Sequence, residues 1–326
     1  MRLAGALIVL VLALFAGSLL SGYSVAPAFD SLTALLRDDG TPLSVVMREI
    51  RLPRALLAVM IGGSLGLSGA AMQGYLRNPL AEPGLIGISG AAALGAVLAI
   101  QSGLVLLFPL ALPLSALGMA VLAVLLILAL AGRRGASITL ILAGIAISAL
   151  AGALTSLVLN LSPNPFAAAD IIFWMMGSLS DRSFIHVWLA LPFMAVGWVM
   201  LASLGRGLDA LTLGEDAAEA MGMRLSRLRL VLILGTAASV GAATAVAGAI
   251  GFVGLVVPHL LRGVVGARPS SLLWASALGG AAMVLAADIA VRELFPTKDL
   301  KLGVLMALVG APLFLHLIYR TRKEMA

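Results

Sequence analysis

The stretch RNPLAEPGLIGISG, residues 77–90, decides the fold of this chain because it interrupts a sequence that is otherwise almost continuously apolar. It places Arg77, Asn78 and Glu82 beside two prolines and three glycines. Lipid cannot hydrogen-bond to exposed backbone groups, so a break at membrane depth must be buried in protein or line a water-filled path. Such breaks are typical of the segments at which transporters handle cargo. The stretch therefore predicts a translocation path.

The composition of the rest of the chain indicates a membrane protein. Of its 326 residues, 61% are hydrophobic and 11% are charged, whereas soluble domains carry about 25% charged residues. The sequence contains no cysteine, which excludes a disulfide framework, a thiolate metal site and a cysteine nucleophile. We assign the net charge of +6 mainly to arginines in cytoplasmic loops rather than to a nucleic-acid-binding surface.

Ten apolar stretches predict membrane-spanning helices, of which the shorter ones would pack inside the bundle. The first is interpreted as a span rather than a cleaved signal peptide, because its apolar run exceeds the about 7–15 residues of a signal-peptide core. We therefore expect an all-α polytopic membrane protein in which residues 1–326 form a single transmembrane domain. The predicted spans are 4–22, 53–76, 88–101, 107–131, 138–160, 184–204, 230–248, 251–265, 272–291 and 303–319.

The positive charges predict the orientation of these spans. Most of the 21 lysines and arginines fall in segments that are cytoplasmic when the N-terminus is cytoplasmic, so both termini are expected on that side. Residues 66–98 and 245–284 are weakly similar, since each runs from small residues through a Pro-containing break into a Gly/Ala-rich helix. If each half holds five spans, the halves run in opposite directions, as in inverted-repeat transporters.

The longest predicted cytoplasmic loop, residues 205–229, is expected to contain a short amphipathic helix. Gly214 and Gly222 bracket about two turns in which acidic residues come early, and arginines follow. Acidic residues near the start of a helix and basic residues near its end suit the helix dipole.

Four segments carry long motifs, namely residues 50–99, 173–180, 214–229 and 247–318. They include the NPLAEPG motif, the motif FWMMGSLS at 173–180 and the motif GEDAAEAMGMRLSRLR at 214–229. Together these segments resemble the FecCD family, the permease subunits of ATP-driven importers for iron–siderophore, haem and cobalamin complexes. Several long motifs in the same order make the resemblance specific, and it covers most of the chain beyond the first span.

The resemblance implies a permease of ten spans that works as a homodimer in the bacterial inner membrane. It would carry a metal chelate from the periplasm to the cytoplasm along the dimer axis. A periplasmic binding protein would deliver the chelate, and two separate ATPase subunits would hold ATP and Mg²⁺. This chain has no G-x-x-x-x-G-K-[ST] phosphate loop, so we expect it to be no enzyme, to have no catalytic residue and to bind no cofactor or metal of its own. Which chelate it carries stays open.

The same resemblance assigns roles to three groups of residues. Arginines on the outer side would dock the binding protein, where charge pairs mainly set orientation and association rate. The short helix in the 205–229 loop would couple to the ATPase, and a third group would form a cytoplasmic gate. The docking group is Arg51, Arg54 and Arg292, the coupling group is Gly214, Glu215, Ala218 and Gly222, and the gate group is Asn78, Leu80 and Ser137.

Each group has an alternative interpretation. The arginines could be anchors that snorkel to the membrane interface, although an excess of arginine on the outer side runs against the positive-inside rule. The short helix could be an ordinary surface connector, and Asn78 and Ser137 could be helix caps. Arg292 could form a helical ion pair with Asp288, four residues earlier, and we expect Asp288 to be structural.

Two further features bear on the cargo. Members of the family commonly carry Glu-Leu-Pro in the last outer loop, whereas this chain has Asp299-Leu300-Lys301, which leaves the local turn open. The three histidines lack metal-ligand spacing and are interpreted as packed or interfacial side chains. They are His186, His259 and His316.

Two other classes of function stay open at this point. A secondary transporter driven by an ion gradient would need acidic residues within its spans, and this sequence offers few. A membrane scaffold or sensor would not need Pro/Gly breaks in both halves of the chain.

Overall fold

The computed structural model describes residues 2–22, 27–37, 40–108, 110–131, 137–295 and 300–325, apart from the side chains at 131, 137, 138, 317, 318 and 320–325. Across these ranges the chain forms helices and no strands. In chain order they are α1 (Arg2–Leu20), α2 (Ala28–Leu36), α3 (Pro42–Val45), α4 (Leu52–Leu76), α5 (Ile88–Gln101), α6 (Ala111–Ala131), α7 (Ser137–Asn160), α8 (Pro165–Met175), α9 (Phe184–Ser203), α10 (Gly205–Leu211), α11 (Glu215–Ala220), α12 (Leu225–Ala247), α13 (Val253–Arg262), α14 (Pro269–Leu294) and α15 (Leu302–Met325). A π-helical segment, Val46–Arg51, joins α3 to α4, and 3-10 turns occupy Pro83–Ile86 and Leu104–Leu106.

The helices confirm the predicted all-α membrane fold. In the described ranges, 7 helices are long and apolar enough to cross a membrane, namely α1, α4 with its lead-in turns, α6, α7, α9, α12 and α14. Four shorter helices or segments are also apolar, namely α5, α8, α13 and residues Leu302–His316 of α15. Together they account for every predicted span and add α8.

Helix α8 was not predicted, although its start carries two ordinary helix signals. The side chain of Asn164 accepts a hydrogen bond from the backbone N–H of Phe166 at 3.0 Å, and Pro165 is the first helical residue. Both features are typical of helix N-termini. The segment is too short to span a membrane, so a search for spans passes over it.

Helices α4 and α14 pack together at the centre of the bundle. In its most apolar window, 83% of α4 is buried, whereas only 22% of the corresponding window of α1 is buried. Glycines allow the close approach of α4 and α14: a Cβ atom on Gly62 would collide with the carbonyl of Gly280, and one on Gly66 would collide with the carbonyl of Ser276. Small residues at helix contacts bring backbones together in this way when no hydrophobic force acts between helices.

Helix α4 runs from one end of the bundle to the other. Its 25 residues extend over about 38 Å at 1.5 Å per residue. We call the end that contains Arg51, Arg54 and Arg292 the arginine end. At the other end, Arg77 follows the last residue of α4 and pairs with Glu215 of α11, and we call it the α11 end.

Candidate functional site

Two breaks in the helical backbone meet in the structure. The first break, residues 77–90, begins where Arg77 ends α4 in a left-handed backbone conformation (φ +50°). The second, residues 248–252, leads into α13 through Phe252, which is also left-handed (φ +67°). It contains no proline, because Pro258, which predicted a break in this region, lies inside α13. Oε1 of Glu82 accepts a hydrogen bond from the backbone N–H of Phe252 at 2.9 Å. A carboxylate of the first break therefore satisfies a backbone donor at the start of the helix that follows the second, as the acid of a capping box does.

A proline in α13 explains a second contact between these regions. Pro258 has no N–H, so the carbonyl of Gly254, four residues earlier, lacks its usual helical donor. Nε2 of Gln73 donates to this carbonyl at 3.3 Å and to the carbonyl of Leu255 at 3.2 Å. Nη2 of Arg262 in turn donates to Oε1 of Gln73 at 2.8 Å. The buried amide of Gln73 on α4 thus fastens α13 at the position where the proline weakens it.

Glycine is required where the breaks pack most closely. A Cβ atom on Gly69 would collide with the carbonyl of Gly254, and one on Gly254 would lie 2.7 Å from Cδ of Pro83. The first break also contacts α7, because a Cβ atom on Gly144 would collide with the carbonyl of Leu85. At these points the broken backbone is buried in protein, which is one of the two arrangements that a membrane permits.

The predicted gate residues lie around the first break and at the start of α7. Oδ1 of Asn78 accepts a hydrogen bond from the backbone N–H of Leu80 at 2.9 Å, an Asx turn that shapes the backbone locally. The side chain of Leu80 is 39% exposed. Ser137 is the first residue of α7, but its side chain lies outside the described part of the chain. The local role of Asn78 is close to the capping alternative, and the gate role of the three residues stays a prediction.

Helix α11 confirms the short helix that was predicted in the 205–229 loop. Gly214 (φ +106°) and Gly222 (φ +83°) bracket it, both in the left-handed region that favours glycine. Ala218 is fully buried, whereas Oε1 of the half-exposed Glu215 lies 4.0 Å from Nη2 of Arg77. The helix therefore has one buried face and an exposed acidic start. The role of these residues in coupling to an ATPase stays a prediction.

Sequence reasoning missed Asp209, which ties α10 to the start of α14. Its Oδ1 accepts a hydrogen bond from the backbone N–H of Ser270 at 2.8 Å, and its Oδ2 accepts from Oγ of Ser270 at 2.7 Å and from Nε of Arg268 at 2.8 Å. Burial alone would raise the pKa of Asp209, but the hydrogen bonds from Ser270 and Arg268 outweigh it and place the pKa below its ordinary value. The partners are far apart in sequence, so no local pattern signals the contact.

At the arginine end, two of the predicted docking residues converge on one carboxylate. Nη2 of Arg54 lies 2.9 Å from Oδ1 of Asp288, and Nη2 of Arg292 lies 3.0 Å from its Oδ2. Asp288 is fully buried. The predicted helical pair of Asp288 and Arg292 is confirmed, and Arg54 is a second partner that helix spacing did not indicate. Arg292 also donates to the carbonyls of Ser18 and Ser21, both at 3.0 Å.

The third predicted docking residue, Arg51, is 5% exposed. Its Nη1 donates to the carbonyl of Leu19 at 2.9 Å, in the last turn of α1, where carbonyls have no helical donor. All three arginines thus form hydrogen bonds within the chain, which neither the docking interpretation nor the membrane-anchor alternative required. Docking stays a prediction, and it would have to use guanidinium groups that already have partners.

The remaining predictions concern histidines, metals and the last outer loop. Nδ1 of His186 accepts a hydrogen bond from the backbone N–H of Ser183 at 3.2 Å, at the start of α9, which agrees with a packed histidine. Among the residues that the structure describes, no group of three or more His, Cys, Asp or Glu could hold a metal ion. Asp299 lies outside those residues. Nζ of Lys301 lies 5.6 Å from the centre of the Phe173 ring, a cation–π contact between α8 and the segment before α15.

A helical bundle of this kind, with two broken segments interlocked beside its central helix, defines a multi-pass membrane permease. The chain matches the FecCD transport family over residues 8–320. It is 39% identical over 275 residues to the vitamin B12 import system permease protein BtuC of Klebsiella pneumoniae, a match that covers 84% of this chain and 82% of that protein. It is also 39% identical over 287 residues to the hemin transport system permease protein HmuU of Yersinia pestis, covering 85% and 84% of the two chains.

A solved structure supports the same assignment. The chain superposes with a TM-score of 0.87 and 32% sequence identity on a chain described as a metal-chelate type ABC transporter in an inward-facing conformation, covering 98% of this chain and 99% of the other. The chain therefore belongs to the FecCD transport family, the permease subunits of ATP-binding-cassette importers. The resemblance drawn from its motifs is confirmed, and the ATPase activity of such importers lies in separate subunits.

Proposed function

We propose that this chain forms the path through which an ATP-binding-cassette importer moves a metal chelate from the periplasm to the cytoplasm. The observation that carries the proposal is the interlocked pair of breaks beside α4, with α11 adjacent to the first of them. Irregular backbone held inside a bundle of spans is the arrangement found at the cargo sites of transporters. Two copies of the chain would form a homodimer, with the path along the axis between them.

The position of α11 supports a route from the ATPase to the path. Arg77 is at once the residue that ends α4, the first residue of the break and the partner of Glu215. A displacement of α11 by an ATPase subunit would therefore act directly on the point where α4 gives way to irregular backbone. Gly214 and Gly222 would allow α11 to move as a unit, because glycine accepts large changes of backbone dihedral angles.

The gate would lie at the same end of the bundle. In this proposal Leu80 closes the path by excluding water from a narrow apolar constriction. The turn formed by Asn78 fixes the backbone of Leu80, so a movement of Arg77 would carry the leucine with it. Ser137 would complete the gate from the start of α7, which contacts the break through Gly144.

The family membership suggests the partner subunits, and the distribution of arginines suggests the side of the membrane on which each one binds. Two ATPase subunits, with ATP and Mg²⁺, would bind at the α11 end, which would be cytoplasmic together with both chain termini. Arg206, Arg224 and Arg227 at this end agree with that orientation, because cytoplasmic segments are rich in arginine. A periplasmic binding protein would dock at the arginine end. This chain would bind no cofactor itself.

The cargo is proposed as a class. The relatives are named for vitamin B12 and hemin, and the similar solved structure is of the metal-chelate type. We therefore propose an iron–siderophore, haem or cobalamin complex. Such a ligand encloses its metal, so its path would need small and apolar side chains rather than metal-binding groups.

The contacts of Asp288, the buried carboxylate of α14, disfavour the alternative of an ion-driven carrier. A proton or cation relay needs an acidic residue that can change its charge within the membrane. Asp288 is fully buried and already paired with both Arg54 and Arg292, so it serves as a structural partner of two arginines rather than as an open site for a transported ion.

The proposal is tested by uptake into proteoliposomes that contain this chain, its ATPase and external binding protein loaded with a radiolabelled chelate. We expect uptake to require ATP inside the vesicles and to be lost when either the ATPase or the binding protein is omitted. An ionophore that collapses ion gradients should leave uptake unchanged. Uptake that persists without the ATPase and stops with the ionophore would establish the ion-driven alternative instead.

A further inference from the structure

A cavity of about 410 Å³ at the α11 end contains a cluster of three arginines, and the proposed coupling residue Gly222 also lines it. The proposed transport cycle gives these arginines no ligand. It lies between the end of α9, α10 and the start of α12. Arg206, Arg224 and Arg227 line it, together with the apolar side chains of Leu228 and Val231. We call this cavity the arginine pocket.

The three guanidinium groups are available to a ligand. In the described ranges the ion pairs involve other residues, and no carboxylate lines the arginine pocket. Asp209, two residues from Gly207, binds Ser270. Glu219, three residues from Gly222, is exposed on α11 and does not line the pocket. Three like charges around one cavity repel each other in water, so the arrangement favours an anionic occupant.

An apolar surface continues from the pocket along α9. Ser203 lines the pocket, and Val199 and Val196 precede it by four and seven residues, a spacing that puts all three on one helix face. These valines are 72% and 56% exposed. Because α9 is a membrane-spanning helix, its exposed valines face lipid or a partner subunit. The pocket thus places cationic groups at the end of an apolar stripe on a membrane-spanning helix.

We infer that the arginine pocket binds the phosphodiester headgroup of an anionic phospholipid, with an acyl chain along the stripe of Val196 and Val199. A basic pocket between membrane helices on the cytoplasmic side recognises such headgroups by charge and hydrogen bonding. Arginine suits this role because its planar donors match phosphate oxygens in pairs. The adjoining apolar stripe favours a lipid over a soluble phosphate, which would gain nothing from it.

The test is native mass spectrometry of the full-length chain, purified in detergent with equal amounts of dioleoyl phosphatidylglycerol and dioleoyl phosphatidylcholine. We expect the phosphatidylglycerol to be retained in preference. An arginine beside an anionic lipid contributes about fivefold in affinity, so the double variant R224Q/R227Q should lower retention by about 25-fold. The variant R224K/R227K should keep most of it, because the charge is preserved.

The control variant R2Q/R37Q removes the same charge from two exposed arginines outside the pocket and should retain phosphatidylglycerol like the unchanged chain. Equal loss in this control would reduce the effect to net charge and overturn the inference. Displacement of the lipid by millimolar inorganic phosphate would also overturn it, in favour of a soluble-anion site. Loss of the lipid when the ATPase subunit is added would assign the pocket to the ATPase interface. None of these outcomes depends on chelate uptake, so the inference and the proposed function fail separately.

Discussion

The two ends of α4 hold the same kinds of charged residues in opposite environments. At the arginine end, Asp288 is fully buried and lies within 3.0 Å of both Arg54 and Arg292. At the α11 end, Arg77 and Glu215 are half exposed and 4.0 Å apart. Removal of one partner from a buried pair leaves an uncompensated charge and is strongly destabilising, whereas a solvated pair contributes little. Burial, rather than residue type, therefore decides which ion pairs contribute to the stability of the fold.

This difference agrees with the division of work that we propose. A transport cycle needs one part of the bundle that keeps its structure and another that rearranges at low energy. The buried cluster at the arginine end also joins α1, α4 and α14 through the contacts of Arg292 and Arg51. The pair at the α11 end joins only the end of α4 to one short helix, so it can separate without exposing a buried charge.

The largest effect is expected from Asp288→Asn. The substitution keeps the shape of the side chain but leaves Arg54 and Arg292 without their counter-charge, which costs about 3–5 kcal/mol of stability. Thermal unfolding in detergent should show a large decrease in Tm. The control Asp216→Asn, on the exposed start of α11, should leave Tm unchanged. Equal values of Tm for the two variants would show that the buried charge at the arginine end contributes no more stability than an exposed charge at the α11 end.

An intermediate effect is expected from Asp209→Asn, because Asp209 is a partly buried carboxylate at the α11 end. The asparagine keeps one oxygen for the backbone N–H of Ser270, but its NH2 group replaces Oδ2 and opposes the donors of Ser270 and Arg268. The loss of such hydrogen bonds to a charged group costs about 1.5–3 kcal/mol. The pKa of Asp209 is lowered in the folded chain. Its charge therefore stabilises the fold above the unfolded pKa of about 3.9, and this contribution is lost as the pH falls through the lower folded value.

The difference in Tm between the unchanged chain and Asp209→Asn should accordingly be constant near neutral pH and shrink below about pH 4. Thermal unfolding across this range measures it. Ser203→Ala, an exposed substitution at the same end, controls for general acid sensitivity. A difference that stayed constant into strong acid would show that the shape of Asp209, and not its charge, holds α10 to α14.

The smallest effect on stability is expected from Glu215→Gln. The pair with Arg77 is solvated, so its loss should change stability by less than about 1 kcal/mol. In proteoliposomes, however, chelate uptake should fall while binding-protein docking is unchanged, because Glu215 links α11 to the first break. Glu219→Gln, on the same helix but without an ion pair in the described chain, is the matched control. A large decrease in the Tm of Glu215→Gln would show that the ion pair at the α11 end stabilises the fold as the buried cluster does, which contradicts the proposed difference between the two ends.

Much of this arrangement could be predicted from local pattern. Hydropathy alone located the spans, because a helix needs about 20 apolar residues to cross a bilayer. Gly214 and Gly222 marked the ends of α11, since their positive φ angles favour glycine. The helical spacing of Asp288 and Arg292 indicated their ion pair. Helix α8 could have been found from Asn164 and Pro165, but its length lies below that of a span.

The partners of single polar side chains could not be predicted. Gln73 lies in an apolar span with nothing nearby to explain it, and its role depends on the carbonyl that Pro258 leaves without a donor. Arg51 and Arg54 were interpreted as docking residues from their position on the outer side, at the start of the predicted span 53–76. Their burial depends on α1 and α14, which pack against that position from distant parts of the chain.

The sequence by itself determined membrane residence, the positions of the two breaks, the glycine-bracketed helix and the family. These follow from hydropathy, from backbone constraints and from motifs, all of which act over a few residues. Only the tertiary structure decided that Glu82 meets Phe252, 170 positions away, and that Arg54 meets Asp288, 234 positions away. A buried charge or backbone group must find some partner, but which partner it finds is set by how the helices pack.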